Sequence, residues 1–175
     1  ALRAKEQPAF HIKDDFSGKA LMACIVRCPT IMDFDQISVL GQWFQENSLY
    51  TGCGWSDEKA LGLVLAGIDP ESKTFMRVVE KDDLLIGFFL GYISEYFFST
   101  KRIAQEMVLV IHPEHRAGIH KPVLRLLKEF VSWGQERDAN EICIGITSGI
   151  AGPGYEKLLV RSGFRESGSI FKMRC

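Results

Sequence analysis

The sequence predicts an α/β (α+β) fold with about four helices against a central sheet. An apolar run within residues 105–116, QEMVLVIHPEHR, stops at His-Pro, and helical spacing begins at Pro122, as when a buried strand hands over to an amphipathic helix. Upstream, residues 75–81 and 84–97 flank Asp82-Asp83 as the arms of a hairpin. At 175 residues, 46% hydrophobic and 25% charged, the chain is long enough for one core and short for two.

Residues 1–20 are polar and unperiodic and read as an N-terminal extension; residues 21–175 read as a single domain. A first strand is expected over 21–27. Thr30 or Asp33 caps a first helix whose stripe is Phe34, Ile37, Leu40, Trp43 and Phe44, ending near Asn47-Ser48. Gly52-Cys53-Gly54 makes a flexible corner. Ser56-Asp57-Glu58 opens a second helix with Leu61, Val64 and Leu65 as its apolar face, stopped by Gly67 and Asp69-Pro70. The hairpin follows, then a strand in which Val108, Leu109, Val110 and Ile111 read as buried on both faces and which Pro113 must end. Pro122 suits the first position of a third helix reaching about residue 137, with Leu124, Leu127, Phe130 and Val131 as its stripe and Leu126 at the edge. Residues 141–147 form a further strand, 155–161 a short helix after Pro153-Gly154, and 169–173 a last strand beyond the Ser162-Gly163-Phe164 turn.

The charge balance bounds the partners. A net charge of −1 and a pI near 6.5 carry no basic field for nucleic acid, and no apolar run approaches the roughly 20 residues of a membrane helix. The first residues lack the apolar core of a secretion signal, and the five cysteines are odd in number and without paired spacing. Reduced thiols, a cytoplasmic location and no metal are the expectations. Between the central strand and the third helix, residues 115–121 combine backbone N–H groups, a helix N-terminus, His115, Arg116, His120 and Lys121, a combination that binds phosphate.

On these residues the chain resembles the GCN5-related N-acetyltransferases. Their central signature is an apolar strand, Val-x-Pro-Glu-x-Arg, a glycine-rich turn and a helix, and Ile111-His112-Pro113-Glu114-His115-Arg116 is similar to it. The ending Tyr155-Glu156-Lys157-Leu158-Leu159-Val160-Arg161-Ser162-Gly163-Phe164 resembles the family's Tyr-Glu-Lys-Leu-Gly-Phe. The resemblance implies a mixed, mostly antiparallel sheet and direct transfer of an acetyl group from acetyl-CoA to an amine of a small molecule or protein. It also implies that the backbone of Leu109, Val110 and Ile111 pairs with pantetheine, while Arg116, Ala117, Gly118, Ile119, His120 and Lys121 hold the pyrophosphate. The family's turn carries three small residues where this chain has one glycine, and the family's usual tyrosine falls on Leu159, one helical turn after Tyr155.

Acyl transfer to an amine of pKa near 10 needs a proton acceptor more than a donor, because about one amine in 2,500 is neutral at pH 7. Glu106 is the carboxylate in the region where the family places its base; His112 competes with it, and Tyr92 and Glu95 are further candidates for the acceptor pocket. Adjacent Gln105 and Glu106 face opposite sides of a strand, and a bulge would exchange them. Tyr155 is the candidate acid or, equally, a packing tyrosine. Tyr50, Trp55, Tyr96, Phe97 and Phe98 line an acceptor cleft or serve as core and homodimer contacts. The alternative function is a catalytically silent domain of the same fold, acting as an acyl-CoA sensor or as a protein-interaction or structural component.

Overall fold

The computed structural model describes residues 24–150 and 153–173. The N-terminal extension and the start of the expected first strand, 21–23, lie outside them. Among the described residues five strands form one sheet in sequence order: β1 (Ile25–Arg27), β2 (Thr74–Lys81), β3 (Leu84–Glu95), β4 (Arg102–Ile111) and β5 (Ala139–Cys143). The first three pairings are antiparallel and β4–β5 is parallel. Among the described residues four helices flank the sheet: α1 (Phe34–Asn47), α2 (Asp57–Ile68), α3 (His120–Glu136) and α4 (Pro153–Arg161).

The sheet is buried on both faces, which is why β3 reads LLIGFFLGYISE rather than alternating. Ile86, Phe89 and Ile93 pack with Leu126, Leu127, Phe130 and Trp133 of α3. Leu85, Phe88 and Leu90 join Ile37 and Leu40 of α1 and Val64 of α2 on the other face. Gly91 lets α3 approach, since a Cβ there would stand 2.5 Å from the Phe130 ring. The hairpin turn places Asp82 and Asp83 at φ 54° and 61°, the left-handed pair of a two-residue turn that suits the strand twist.

Before α1, a single turn of 3-10 helix over Ile31–Asp33 is fastened by Asp33, whose carboxylate accepts from the Thr30 N–H at 2.7 Å and from Arg27 at 2.7 and 2.8 Å. Ser56 caps α2 by accepting from the Lys59 N–H. Here the expected face is corrected: Ala60 and Val64 are buried, while Leu65 is exposed. Residues 61 and 65 lie on the row beside 60 and 64, and the row with small residues faces the sheet because Ala60 and Gly67 allow closer packing.

Helix α3 begins at His120, so Pro122 is its third residue; the first turn has no intrahelical N–H bond to lose there. Its buried stripe is Val123, Leu126, Leu127, Phe130 and Trp133, which puts Leu126 at the centre and leaves Leu124 and Val131 half-buried. β3 stops at Glu95 rather than at residue 97. β5 begins and ends earlier than expected, because β4 and β5 separate after Gln105 opposite Cys143. No strand forms over 169–173: the backbone there joins no ladder, and Ile170, Phe171 and Met173 are exposed.

Candidate active site

The separation of β4 from β5 opens a cavity of about 350 Å³ between the second half of β4, the segment 145–150, the start of α3 and α4. A register shift helps to open it. Leu90 pairs with Val108 and Gly91 with Glu106, so Met107 is an extra residue in β4 and lines the cavity beside Glu106. The parity question of the central strand is thereby answered: Gln105 donates to Ser94 Oγ at 2.8 Å, and Glu106 lines the cleft.

Glu106 Oε2 accepts the Gly145 N–H at 3.0 Å. Burial pushes the carboxyl pKa up to about 7, against the pull of the backbone N–H groups of Gly145 and Leu109, which favour the anion. Tyr155, on the first turn of α4, lines the same cavity. Its hydroxyl is buried with no hydrogen-bond partner among the described residues, and burial, then the Glu106 charge, holds its pKa well above the ordinary value. Leu159, where the resemblance would put a tyrosine, is buried in the core.

Of the expected pantetheine strand, Leu109 and Ile111 line the cavity, whereas the Val110 side chain is buried on the opposite face of the sheet with Val64 and Phe88. In the turn toward α3, Arg116 donates to the Ile111 carbonyl at 3.1 Å and to the Ile150 carbonyl at 3.0 Å, closing one end of the cleft. Gly118 has φ +75°, a conformation that explains why the one glycine of the turn stands there. Ile119 is 9% exposed and packs into the core beneath α3 while touching the cavity, so its bulk is absorbed by the core. His120 lines the cavity; Ala117 and Lys121 do not.

Several sequence candidates lie elsewhere. The His112 ring packs 5.1 Å from that of Trp43 and 6.0 Å from that of His115, outside the cavity lining. His112, Glu114 and His115 bring ligand-type atoms within 4.8 Å of one another on this turn, a group able to hold a metal ion. Tyr92 and Glu95 belong to β3 away from the lining. Trp55 covers Gly41 of α1 and donates to Asp57 at 3.0 Å. Tyr96, Phe97 and Phe98 cluster at the exposed β3–β4 tip. Of the five aromatic candidates only Tyr50 lines the cavity.

Sequence reasoning missed Phe44 in this role, and it missed Gly145, Thr147, Ser148 and Lys172. Tyr50 OH lies 3.1 Å from Thr147 Oγ1 and accepts from Lys172 Nζ at 3.1 Å, while Lys172 also donates to the Thr147 carbonyl at 2.7 Å. The Thr147 and Lys172 hydrogen bonds lower the Tyr50 pKa. The run Gly145-Ile146-Thr147-Ser148 was the available signal: small polar residues following an apolar strand mark a backbone leaving its sheet.

A five-stranded, mostly antiparallel sheet that splays between a bulged β4 and parallel β5, with a basic turn and helix at the splay, is the fold of the GCN5-related N-acetyltransferases. Solved structures agree over nearly the whole described chain. A ribosomal-protein-alanine N-acetyltransferase from Brucella melitensis biovar Abortus 2308 is similar with a TM-score of 0.64 at 16% identity, covering 87% of this chain and 99% of that one. An acetyltransferase of Trypanosoma brucei gives 0.64 at 11% identity, covering 87% and 100%. Aminoglycoside N-acetyltransferase AAC(6')-Iy, in complex with CoA, gives 0.63 at 14% identity, covering 87% and 95%. No family model and no curated relative matches the chain.

Proposed function

We propose that the protein is a cytoplasmic N-acetyltransferase that moves an acetyl group from acetyl-CoA directly to an amine. The observation that carries this reading is the pairing of Glu106 and Tyr155 in one cavity at the β4–β5 splay, a carboxylate with its pKa near 7 and a tyrosine hydroxyl without a hydrogen-bond partner among the described residues. The CoA-bound acetyltransferase of the same fold supports the choice of acyl donor. The free thiols of Cys24, Cys28, Cys53 and Cys143 are consistent with a reducing compartment.

Acetyl-CoA supplies the activated acyl group when bound. The β4 backbone beyond Gln105, which β5 does not pair, is the edge on which an extended pantetheine can add as a strand does. The N-terminus of α3, starting at His120 beside Arg116, suits the pyrophosphate. Above pH 7 Glu106 is predominantly ionised and takes the proton of the acceptor ammonium; a base of this kind contributes roughly 100- to 10,000-fold. Tyr155 returns a proton to the departing thiolate, the smaller task because a thiol pKa lies near 8.5. The apolar lining, with Val108, Leu109, Ile111 and Leu158, excludes water from the thioester.

The test is calorimetric titration with acetyl-CoA, CoA and ATP, followed by an amine screen with wild type and Glu106→Gln. Micromolar binding of acetyl-CoA and CoA but not ATP, with turnover lost and binding kept in the variant, is expected. Absence of binding at millimolar acetyl-CoA would refute the reading and leave a silent domain of the same fold.

A further inference from the structure

Among the described residues, the segment 164–173 reaches the candidate site through the Lys172 side chain. Residues 164–173 form no strand, and Ile170, Phe171 and Met173 are 69%, 94% and 88% exposed, so these apolar side chains do not anchor the segment. Lys172 does hold it: Nζ donates to Tyr50 OH at 3.1 Å and to the Thr147 carbonyl at 2.7 Å, and it sits 4.5 Å from the centre of the Tyr50 ring. Tyr50 and Thr147 line the cavity that Glu106 and Tyr155 also line. Gly145, the donor to Glu106, is two residues from Thr147, so the segment that positions the carboxylate also receives the lysine.

An ε-amine at that mouth has the chemistry of an acceptor: a primary amine on a flexible stem, tethered so that it need not be captured from solution. We propose that Lys172 is acetylated by the protein itself, in cis, which makes its C-terminal segment the first acceptor of the site. The inference rests on the acetyltransferase reading above. The Lys172 ammonium gives its proton to the Glu106 carboxylate, directly or through water, and the neutral amine attacks the acetyl carbonyl of acetyl-CoA. The C–N bond forms and the C–S bond breaks; the thiolate takes the Tyr155 proton, the second amine proton leaves to solvent as the amide forms, and the proton held by Glu106 restores the Tyr155 hydroxyl. The products are acetyl-Lys172, CoA and one proton released to solvent. The neutral amide no longer places a cation over the Tyr50 ring, and it keeps one N–H where the ammonium had three, so acetylation loosens the segment from the mouth.

The experiment incubates the full chain with acetyl-CoA near pH 8 and follows acetylation by intact mass and peptide mapping, with acetyl-CoA binding measured in parallel by calorimetry. The exposed lysines Lys59, Lys73, Lys101 and Lys157 report the uncatalysed background. Lys172 should be labelled at least about tenfold faster than these, with a rate constant unchanged over a tenfold dilution. Glu106→Gln should slow it by roughly a hundredfold, the low end of general-base effects, while still binding acetyl-CoA. Lys172→Arg should remove the fast phase. Labelling of Lys172 no faster than background, or equally fast in Glu106→Gln, in a protein that binds acetyl-CoA, would overturn the proposal and leave the acetyltransferase reading standing. A rate that rises with protein concentration would overturn transfer in cis. Failure to bind acetyl-CoA would sink both.

Discussion

Glu106 should destabilise the fold at the pH where it is useful, and Glu106→Gln exposes this. Its folded pKa is about 7 against an ordinary value of 4.5, raised by burial. The charged form is therefore the one that folding disfavours. Below pH 4.5 the carboxyl is neutral in both states and costs nothing. Between 4.5 and 7 the unfolded chain ionises first and stability falls; above 7 the deficit is constant. At about 1.4 kcal/mol per pH unit the rise from 4.5 to about 7 gives a full deficit of about 3.5 kcal/mol, and screening by solvent at the exposed part of this side chain trims it toward about 2–3 kcal/mol. A glutamine keeps an oxygen for the Gly145 N–H and carries no charge. Urea denaturation at pH 8 should find Glu106→Gln more stable than wild type by about 2–3 kcal/mol, and at pH 5 the gap should shrink below about 1 kcal/mol. The same variant should lose acetyl transfer. Equal stability at pH 8, or a gap that does not change with pH, would refute the assignment of a buried, costly carboxylate and with it the tuning of the base.

Other consequences are equally open to measurement. Acetyl transfer should rise with pH through an apparent pKa near 7 as Glu106 ionises, and that limb should vanish in Glu106→Gln pH–rate profiles. Tyr155→Phe removes a buried hydroxyl that has no partner among the described residues, so thermal unfolding should show unchanged or slightly raised stability while turnover drops about tenfold or more. The Arg27 guanidinium and the Thr30 N–H hold the Asp33 pKa down to about 2, so Asp33 stabilises the fold above its ordinary value of 3.8 and loses that contribution as pH falls toward 2. Asp33→Asn should cost on the order of 2 kcal/mol at pH 7 and little at pH 2, read from denaturant midpoints. Phe130→Ala empties the contact of α3 with Phe75, Phe89 and Gly91 and should cost about 3–5 kcal/mol.

Local chemistry made much of the fold legible in one dimension. Pro113 cannot extend a ladder, so β4 had to end before it, and its last residue is Ile111; Asp82-Asp83 could close a hairpin; Ser56 could cap α2. Each is a property of the residue and its immediate neighbours. The expected strand at 169–173 failed because apolar side chains alone do not make a strand. A strand needs a partner edge, and Ile170, Phe171 and Met173 have none to cover them. Leu65 and Leu126 show the same limit in helices. Periodicity finds the apolar side to within one row of residues, and which row turns inward depends on how closely the sheet lets the helix approach.

The candidate site divides in the same way. Residue type and strand position, together with the resemblance to the acetyltransferases, named Glu106, Leu109, Ile111, Arg116 and Tyr155 as candidates. That Glu106 rather than Gln105 lines the cleft was decided by the register with β3 and the extra residue Met107, a pairing written in two strands at once. His112 was excluded from the cavity lining by the turn that lays it against Trp43, 69 positions earlier in the chain (112 − 43). The raised pKa of Glu106, the isolation of the Tyr155 hydroxyl and the capture of Lys172 by Tyr50 are likewise tertiary. Sequence alone determined which donors, acceptors and charges the chain carries and where its strands and helices must break. Burial, register and long-range contact depend on segments far apart in the chain, and only folding brings those segments together.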